Sequence, residues 1–368
     1  MTQRSRTRLA LVFGGRSAEH EVSVVSARSV LDALGDRFDV LTIGIDKDGR
    51  WHLLPALPTA ASERELPVVG GDAGHVVSLA REPGDSALLG EDGTRTDVDV
   101  VFPLLHGPFG EDGTIQGMLE LAGVPYVGAG VLASAVGMDK AVQRVLFTAA
   151  GLPVVPHEAV HDRDWEDDRE GVEARAEALG LPLFVKPATL GSSVGITKVK
   201  RPEDLAGAVE EALSFARKAL IEQAIEGARE IECAVLGNDD PVSSVPGEIL
   251  PSAEWYDYRS KYIDDGTRLD IPAKLSTEIT EELQRMAVAA FRAIDGAGMA
   301  RVDFFLRGQD ELIVNEINTI PGFTQVSMYP KLWEASGLSY AELVERLIEL
   351  AVERHQKEAK RGRGFVPE

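Results

Sequence analysis

Residues 9–45 read LALVFGGRSAEHEVSVVSARSVLDALGDRFDVLTIGI, and this stretch decides the fold class. Leu9–Phe13 is a short apolar run, and Gly14-Gly15 supplies a turn directly after it. From Ser23 onward the apolar residues recur at helical spacing, and Val40–Ile45 forms a second apolar run. A strand, a helix and a strand in this order predict a parallel sheet covered by helices, in the α/β class.

The same periodicities predict the remaining elements. Strands are predicted at Val98–Leu105, Val124–Val127, Leu183–Val185, Leu220–Glu222, Glu230–Leu236, Met299–Leu306 and Leu312–Glu316. Helices are predicted at Gly113–Ala122, Ala133–Ala150, Asp162–Glu177, Pro202–Lys218 and Thr277–Ile294, and from Tyr340 onward. Segment 55–97 is rich in Pro, Gly and Asp, which is typical of hairpins and loops.

The composition is that of a globular protein, and it limits the class of partner. The chain has 368 residues, enough for two or three domains, and its 38 basic and 60 acidic residues give a net charge of −22. This charge repels phosphate backbones and anionic lipid, so nucleic acid and membranes are not expected as partners. A single cysteine excludes an intrachain disulfide, and the N-terminal apolar run is too short for an export signal, so we expect a cytoplasmic location.

A loop rich in glycine and serine, Leu190–Gly195, follows one predicted strand. Gly191 and Gly195 allow the backbone to approach a phosphate closely, and Ser192 and Ser193 add hydroxyl donors. The loop matches neither the P-loop pattern nor the dinucleotide-binding pattern. Because an ordinary hairpin turn has the same composition, phosphate binding and a plain turn both remain open at this point.

Charged and amide side chains occupy every second position on parts of two predicted strands near the C-terminus. Arg301 and Asp303 share one face of the first strand, and Glu316 and Asn318 share one face of the next. Carboxylate and amide oxygens that converge in this way suit Mg²⁺, with phosphate oxygens as further ligands. The alternative is two exposed strand faces with ordinary cross-strand pairs, but the apolar flanks predict burial, where unpaired acids are costly. We therefore predict a divalent-metal site.

Three further charged residues lie beside apolar segments. Lys186 ends a predicted strand and Lys140 lies in a predicted helix, each close to a plausible phosphate site, although a lysine in such a place more often extends into solvent. Glu19 follows the first turn. It either complements the dipole of the first helix or binds an ammonium group at the carboxyl end of the first strand.

Motifs in a fixed order run through nearly the whole chain. They are Phe13–Ser23 (FGGRSAEHEVS), Leu105-His106-Gly107 with Gly110–Gly113 (GEDG), Met138-Asp139-Lys140, Val185-Lys186-Pro187 with Gly191–Gly195, Tyr256-Asp257-Tyr258, Lys261-Tyr262, Arg301-Val302-Asp303 and Asn315–Gly322 (NEINTIPG). In this combination the chain resembles the D-alanine–D-alanine ligases of the ATP-grasp superfamily.

The resemblance implies an ATP-grasp fold with an N-terminal Rossmann-like (pre-ATP-grasp) α/β domain. The domains would be 1–130, which binds the amino acids, a central ATP-grasp subdomain at 131–221, and a C-terminal ATP-grasp subdomain at 222–368 with a lid loop at about 252–271. ATP would lie between the last two. The resemblance also implies two Mg²⁺ ions, replaceable by Mn²⁺, and a homodimer.

The resemblance assigns roles to individual residues. Catalysis would involve Glu19, Ser192, Tyr262, Arg301, Gly322 and Ser327. The amino acids would be bound by Glu19, His106, Lys261, Ser327 and Met328. ATP would be bound by Lys140, Lys186, Ser192, Ser193, Glu222, Gln223, Glu230 and Lys261, and the metal by Asp303, Glu316 and Asn318. Position 223 is a lysine in many relatives and a glutamine here.

The implied activity joins two D-alanine molecules to D-alanyl-D-alanine for peptidoglycan precursor synthesis, with ATP consumed and an acyl phosphate formed on the first. Glu19 would hold the first ammonium group, while Arg301 and the N–H of Gly322 would stabilise the oxyanion of the tetrahedral intermediate. The second carboxylate would be held by Lys261 and Ser327.

Three alternative functions are weighed against this one. A D-alanine–D-lactate ligase would differ only in its second substrate, and a histidine stands at position 262 in those relatives where this chain has Tyr262. A nucleotide-binding dehydrogenase is suggested by the strand–helix–strand start, but Gly14-Gly15-Arg16-Ser17 lacks the third glycine of that pattern. An inactive, ligand-sensing relative is disfavoured by the intact residues Arg301, Asp303 and Glu316 with Asn318.

Overall fold

The computed structural model describes residues 6–60, 65–70, 74–80, 86–191, 194–250 and 268–361. Three sheets follow one another along the chain, and helices pack on each of them. This arrangement is the α/β class predicted from the sequence. Within the described ranges, no helix has the length and apolar character needed to cross a membrane.

The first sheet contains seven strands. They are β1 (Arg8–Gly14), β2 (Asp39–Ile45), β3 (Trp51–Leu54), β4 (His75–Leu79), β5 (Ala87–Gly90), β6 (Arg95–Asp97) and β7 (Val100–Pro103), with helices α1 (His20–Leu34) and α2 (Thr114–Ala122). The strand order is β6-β5-β4-β3-β2-β1-β7. β1 is parallel to both β2 and β7, as predicted, and the segment predicted as hairpins adds antiparallel strands beyond β2.

Both faces of β1 are buried, and this places a crevice at its carboxyl end. Leu9 and Phe13 belong to the same core cluster as residues of α1, whereas Val12 belongs to the cluster that contains residues of α2. Because the helices that follow β1 and β7 cover opposite faces, the two strands end at the point where open α/β sheets bind ligands. Gly14 ends β1 with φ +89°, and a Cβ there would lie 2.3 Å from the carbonyl oxygen of Ile45, so this turn requires glycine.

Two predictions next to this sheet are wrong. Residues Val124–Val127 form no strand, and only Tyr126 makes an isolated bridge, to Val101. The helix predicted over Ala133–Ala150 is two helices, α3 (Val131–Met138) and α4 (Lys140–Ala149). They separate at Asp139, whose backbone is extended and whose carboxylate accepts hydrogen bonds from the N–H groups of the first turn of α4.

The second sheet has four antiparallel strands in the order β10-β9-β11-β8. In chain order its elements are β8 (His157–His161), α5 (Asp162–Asp167), α6 (Arg169–Glu177), β9 (Leu183–Pro187), β10 (Thr197–Val199), α7 (Leu205–Phe215) and β11 (Lys218–Gln223). β8 was not predicted. The acidic helix predicted over 162–177 ends and restarts at Asp168, and the helix predicted over 202–218 is shorter because a 3₁₀ turn, Pro202–Asp204, precedes it.

The third sheet carries the predicted acidic strands. Its elements are β12 (Arg229–Gly237), β13 (Val242–Ser243), β14 (Gly247–Leu250), β15 (Arg268–Asp270), α8 (Thr277–Ala293), β16 (Gly298–Arg307), β17 (Glu311–Asn318), α9 (Met328–Ala335) and α10 (Tyr340–Lys360). The strand order is β15-β14-β12-β16-β17. Residues of α10 share a hydrophobic cluster with β1 and α1, so the first and third sheets are joined by one core. Of the predicted lid, only residues 268–271 are described.

Candidate active site

Two carboxylates and an amide lie together on β16 and β17. Asp303 is the direct cross-strand partner of Glu316, and Asn318 Nδ2 donates a hydrogen bond to Asp303 Oδ2 at 3.0 Å. The shared face expected from the alternation is therefore present. No three His, Cys, Asp or Glu side chains among the described residues form a metal-binding group. Two carboxylates and one amide nevertheless fit Mg²⁺, which keeps several waters or phosphate oxygens and needs few protein ligands.

Arg301 lies on the same face and is held by two carboxylates. Its Nε is 2.7 Å from Asp303 Oδ1 and 2.9 Å from Glu232 Oε2, and a second nitrogen donates to Asp303 Oδ2 at 2.8 Å. Burial disfavours the charged guanidinium, but Asp303 and Glu232 outweigh burial and raise the pKa of Arg301 above its usual value. A fixed positive charge therefore stands beside the candidate metal ligands.

Lys140 joins this face to the glycine-rich loop. It is the first residue of α4, and its Nζ lies 3.0 Å from Glu316 Oε2. The same nitrogen donates to the carbonyl oxygen of Leu190 at 3.0 Å. An ammonium group thus lies between the candidate metal ligands and the first residue of the loop.

A buried ion-pair network surrounds Glu222. Its side chain is 3% exposed, and its two carboxylate oxygens pair with Arg144 and Lys186. Arg144 is fully buried, with Nε donating to Glu222 at 2.9 Å and another nitrogen donating to the carbonyl of Asn315. Burial raises the pKa of Glu222, but the charges of Arg144 and Lys186 lower it to about 2. Glu222 is therefore ionised, and Lys186 is held in place by it.

Two other residues expected near ATP lie near the ends of strands that are consecutive in sequence but belong to different sheets. Gln223 ends β11, and its side-chain amide donates to the carbonyl of Leu179 at 2.8 Å. Its backbone N–H donates to Pro156 at 3.0 Å. Glu230 lies near the start of β12 and pairs across the strands with Phe305.

Glu19 lies where the glycine-rich loop meets the first sheet. It precedes α1 but makes no side-chain capping hydrogen bond. Its Oε2 would lie 2.9 Å from a Cβ built on Gly107 and 3.9 Å from one built on Gly191. The carboxylate is thus next to backbone from the loop after β7 and from the loop after β9.

His106 connects this position to the third sheet. It is buried, with Nδ1 3.5 Å from Glu111 Oε1 and 3.3 Å from the carbonyl oxygen of Ile320. Its Nε2 lies 3.2 Å from the hydroxyl of Ser26. Burial opposes the imidazolium, but the hydrogen bond and charge of Glu111 outweigh it and raise the pKa of His106, and burial raises the pKa of Glu111.

The segment after β17 returns the chain to His106 and begins α9. A Cβ on Gly322 would lie 3.2 Å from Ser327 Oγ, which accepts a hydrogen bond from the N–H of Thr324 at 3.1 Å. Ser327 precedes α9, and Met328, its first residue, is buried in the core shared with the first sheet. Four other residues expected in the site lie outside the described residues: Ser192, Ser193, Lys261 and Tyr262.

Two family models match successive parts of the chain. The model described as D-ala D-ala ligase N-terminus matches residues 8–129, and the one described as D-ala D-ala ligase C-terminus matches residues 146–349. The chain belongs to the D-alanine–D-alanine ligase family. The resemblance seen in the motifs is thereby confirmed, and so is the ATP-grasp fold.

Individual relatives match this chain over nearly the whole length of both chains. A curated D-alanine–D-alanine ligase of Streptomyces coelicolor is 52% identical over 374 residues, covering 94% of this chain and 93% of the relative. The solved D-alanine–D-alanine ligase of Coxiella burnetii has a TM-score of 0.84 at 39% identity, covering 96% of each chain. The VanG D-Ala:D-Ser ligase of Enterococcus faecalis has a TM-score of 0.82 at 34% identity, covering 94% of this chain and all of the other. The shared fold therefore does not determine which second substrate is used.

Three residues of the site were missed from the sequence. Arg144 lies one helical turn after Lys140, a spacing that places both on one side of α4. Glu232 alternates with Glu230 and is the cross-strand partner of Asp303. Glu111 lies within the GEDG motif, for which the sequence alone indicates no role. Spacing could have indicated the first two, but only the tertiary structure shows the partners of each.

Proposed function

We propose that the chain catalyses the ATP-dependent joining of two D-alanine molecules to D-alanyl-D-alanine through an acyl phosphate. One observation carries the proposal: two carboxylates face each other across β16 and β17 with Arg301 and Lys140 beside them. Facing carboxylates repel each other, and a divalent cation between them would remove that repulsion. Family membership supports the use of ATP and a divalent metal.

In the first step the carboxylate of the first D-alanine attacks the γ-phosphorus of ATP, and ADP leaves. Asp303, Glu316 and Asn318 would hold Mg²⁺, which would neutralise charge on the phosphate oxygens. We propose two ions, with Mn²⁺ able to substitute. Lys140, at 3.0 Å from Glu316, and Lys186, held by Glu222, would bind the phosphates. The loop that contains Ser192 and Ser193 would cover them, and Gln223, Glu230 and Lys261 would complete the nucleotide site.

In the second step the amine of the second D-alanine attacks the acyl phosphate, and phosphate leaves. Glu19 would hold the first ammonium group, with His106 beside it. Arg301 and the N–H of Gly322 would stabilise the oxyanion, because fixed donors at that position would lower the energy of the developing negative charge. Lys261, Ser327 and Met328 would bind the second amino acid. Tyr262 would hydrogen-bond with Ser192 and Glu19 and close the site against water, which would otherwise hydrolyse the acyl phosphate.

The proposal extends to the domains and the setting of the reaction. The domains are 1–130, 131–221 and 222–368, with the lid at about 252–271, although β11 continues the second sheet to Gln223. We propose a homodimer in the cytoplasm that supplies peptidoglycan precursors. The buried free thiol of Cys233 is consistent with a reducing compartment.

A phosphate-release assay tests the function directly. Purified protein receives ATP and Mg²⁺ with D-alanine, L-alanine, D-lactate with D-alanine, or D-serine with D-alanine, and the product is identified by mass. We expect phosphate release that depends on D-alanine and a product with the mass of D-alanyl-D-alanine. Release that is independent of D-alanine would contradict the proposal, as would NAD(H)-dependent absorbance change without ATP consumption. A depsipeptide as the main product would favour a D-alanine–D-lactate ligase.

A further inference from the structure

A separate cavity of about 200 Å³ lies at the carboxyl end of β1, on the side covered by α2. Its walls come from the loop after β1, the loop after β7, the first half of α2, Gly49 just before β3, and Trp51, the first residue of β3. Ile45, Leu105 and Ile115 line it and belong to the core cluster on the α2 face of the sheet, whereas residues of α1 belong to the cluster on the other face. The cavity is therefore distinct from the metal face, the buried Glu222 network and the β17–α9 segment.

Ser17, with two hydrogen bonds, lies between the cavity and the candidate amino-acid site. Ser17 Oγ donates to the carbonyl oxygen of His106 at 2.6 Å and accepts from the N–H of Glu19 at 3.2 Å. Ser17 and His106 line the cavity, and Glu19 does not. The two sites are neighbours that share a wall.

Among the described residues that line the cavity, Arg16 carries the one guanidinium group. The stem of Arg16 lies against Gly49, where a Cβ would be 3.0 Å from Arg16 Cδ, and its guanidinium carbon lies 5.0 Å from the centre of the Phe109 ring. Throughout the described ranges, Arg16 makes no ion pair and no side-chain hydrogen bond. Arg16 is exposed, so its guanidinium is open to an anion that enters from solvent.

Phe109 faces Arg16 and adopts a conformation that ordinary residues rarely adopt. Its φ is +69°, and its side chain is 50% exposed although it is a large apolar group. Its N–H donates to Asp112 Oδ2 at 2.9 Å, which helps to hold the loop in this conformation. Strained backbone of this kind is often retained where a ligand is bound.

We infer that this cavity binds a small, flat, apolar molecule that carries one carboxylate. Trp51, Leu105, Ile115 and Met118 would contact the apolar body, and Arg16 would pair with the carboxylate while its other face stays on Phe109. Drug-sized ligands occupy roughly 300–1,000 Å³, so the ligand is smaller than these. An amino acid is a poorer fit, because its ammonium group would lie near the like charge of Arg16 and against apolar side chains that cannot solvate it. The inference goes beyond the proposed function and does not depend on it.

The test measures binding of 3-phenylpropanoate to the purified full-length chain, by calorimetry or ligand-observed NMR, without nucleotide or D-alanine. The neutral amide of the same shape, 3-phenylpropanamide, is titrated in parallel. We expect saturable binding of the acid and at least tenfold weaker binding of the amide. Arg16→Met keeps the packing against Gly49 and should weaken the acid at least tenfold, and Met118→Trp, which fills the cavity, should weaken both compounds.

The matched control is Arg50→Met, which removes an exposed arginine close to the cavity that does not line it. Its affinity for the acid should stay within twofold of the unchanged chain. Three results would each overturn the inference: no saturable binding of the acid up to 20 mM, equal affinity for acid and amide, or unchanged affinity in both Arg16→Met and Met118→Trp. Because turnover is not measured, failure of the proposed function leaves this result intact.

Discussion

Asp303 and Glu316 are direct cross-strand partners on β16 and β17. Side chains at such positions are about 5 Å apart at their Cβ atoms, so two ionised carboxylates there repel each other. Arg301 and Lys140 relieve part of this repulsion, from opposite ends of the pair. Asp303 and Glu316 would hold the proposed divalent metal, whose charge would offset the remaining repulsion.

We expect Glu316→Gln to lower kcat at least about 100-fold, because a carboxylate ligand to a catalytic cation contributes several kcal/mol to the transition state. Steady-state phosphate release at saturating Mg²⁺ measures this. Glu311→Gln is the matched control, since Glu311 begins the same strand but is exposed and pairs with Arg307. Asp303→Asn should behave like Glu316→Gln. Normal turnover in either purified variant would refute the metal assignment.

Glu19→Gln should raise the KM for the first D-alanine about 10-fold or more and leave the KM for ATP nearly unchanged. A charge-assisted hydrogen bond that becomes neutral loses about 1–3 kcal/mol. Because the carboxylate makes no capping hydrogen bond to α1, the substitution removes no helix cap. Glu21→Gln serves as control, because Glu21 lies in the first turn of the same helix and pairs with Lys47. Equal effects on both substrates with a lower Tm would favour a helix-dipole role.

Arg144→Met should lower the free energy of unfolding by about 3–5 kcal/mol, because it leaves Glu222 buried with Lys186 as its one ion-pair partner among the described residues. Arg144→Lys keeps the positive charge, but a lysine ammonium cannot bond both Glu222 and the carbonyl of Asn315 at once. We therefore expect an intermediate loss of unfolding free energy. Urea unfolding at pH 7 measures both. A loss below about 1 kcal/mol for Arg144→Met, as for a surface pair, would contradict the network.

The pKa of Glu222, lowered to about 2 from 4.5, predicts a stability change at acid pH. A lowered carboxyl pKa stabilises the folded state above pH 4.5, and this contribution, roughly 3 kcal/mol, is lost as the pH falls from 4.5 toward 2. We expect the stability difference between the unchanged chain and Glu222→Gln to shrink between pH 5 and pH 3 in urea unfolding. A difference that stays constant over this range would show that Glu222 has an ordinary pKa.

Tyr262 is predicted to favour D-alanine over D-lactate as the second substrate. A phenol with a pKa of about 10 is neutral at pH 7, whereas a partly protonated imidazole would repel the incoming ammonium group and tolerate a hydroxyl. Tyr262→His should therefore shift the product ratio toward D-alanyl-D-lactate as the pH falls from 9 to 6, measured by mass with both substrates present. Tyr262→Phe is the control for lost hydroxyl contacts, and an unchanged ratio in Tyr262→His would refute the prediction.

Local patterns were enough to predict the elements that carry most of the site. The apolar run before Gly14 forms a parallel strand, as predicted. The alternation around Asp303 and Glu316 places these two side chains on one face of neighbouring strands. These predictions succeed because strand periodicity and glycine turns depend on residues close in sequence. The helix predicted over 133–150 failed at Asp139, because an aspartate inside a continuous apolar pattern can cap a new helix, and the pattern alone does not show it.

The sequence by itself determined the fold class, the family and the residue types available for phosphate, metal and amino acids. Only the tertiary structure decided which of them meet: Lys140 with Glu316, Arg144 with Glu222, and Glu19 with the backbone of Gly107. The physical reason is that these contacts join residues that are far apart in the sequence. Their geometry depends on how α4 packs on β11 and β17 and on how β1 pairs with β7, which no local periodicity encodes.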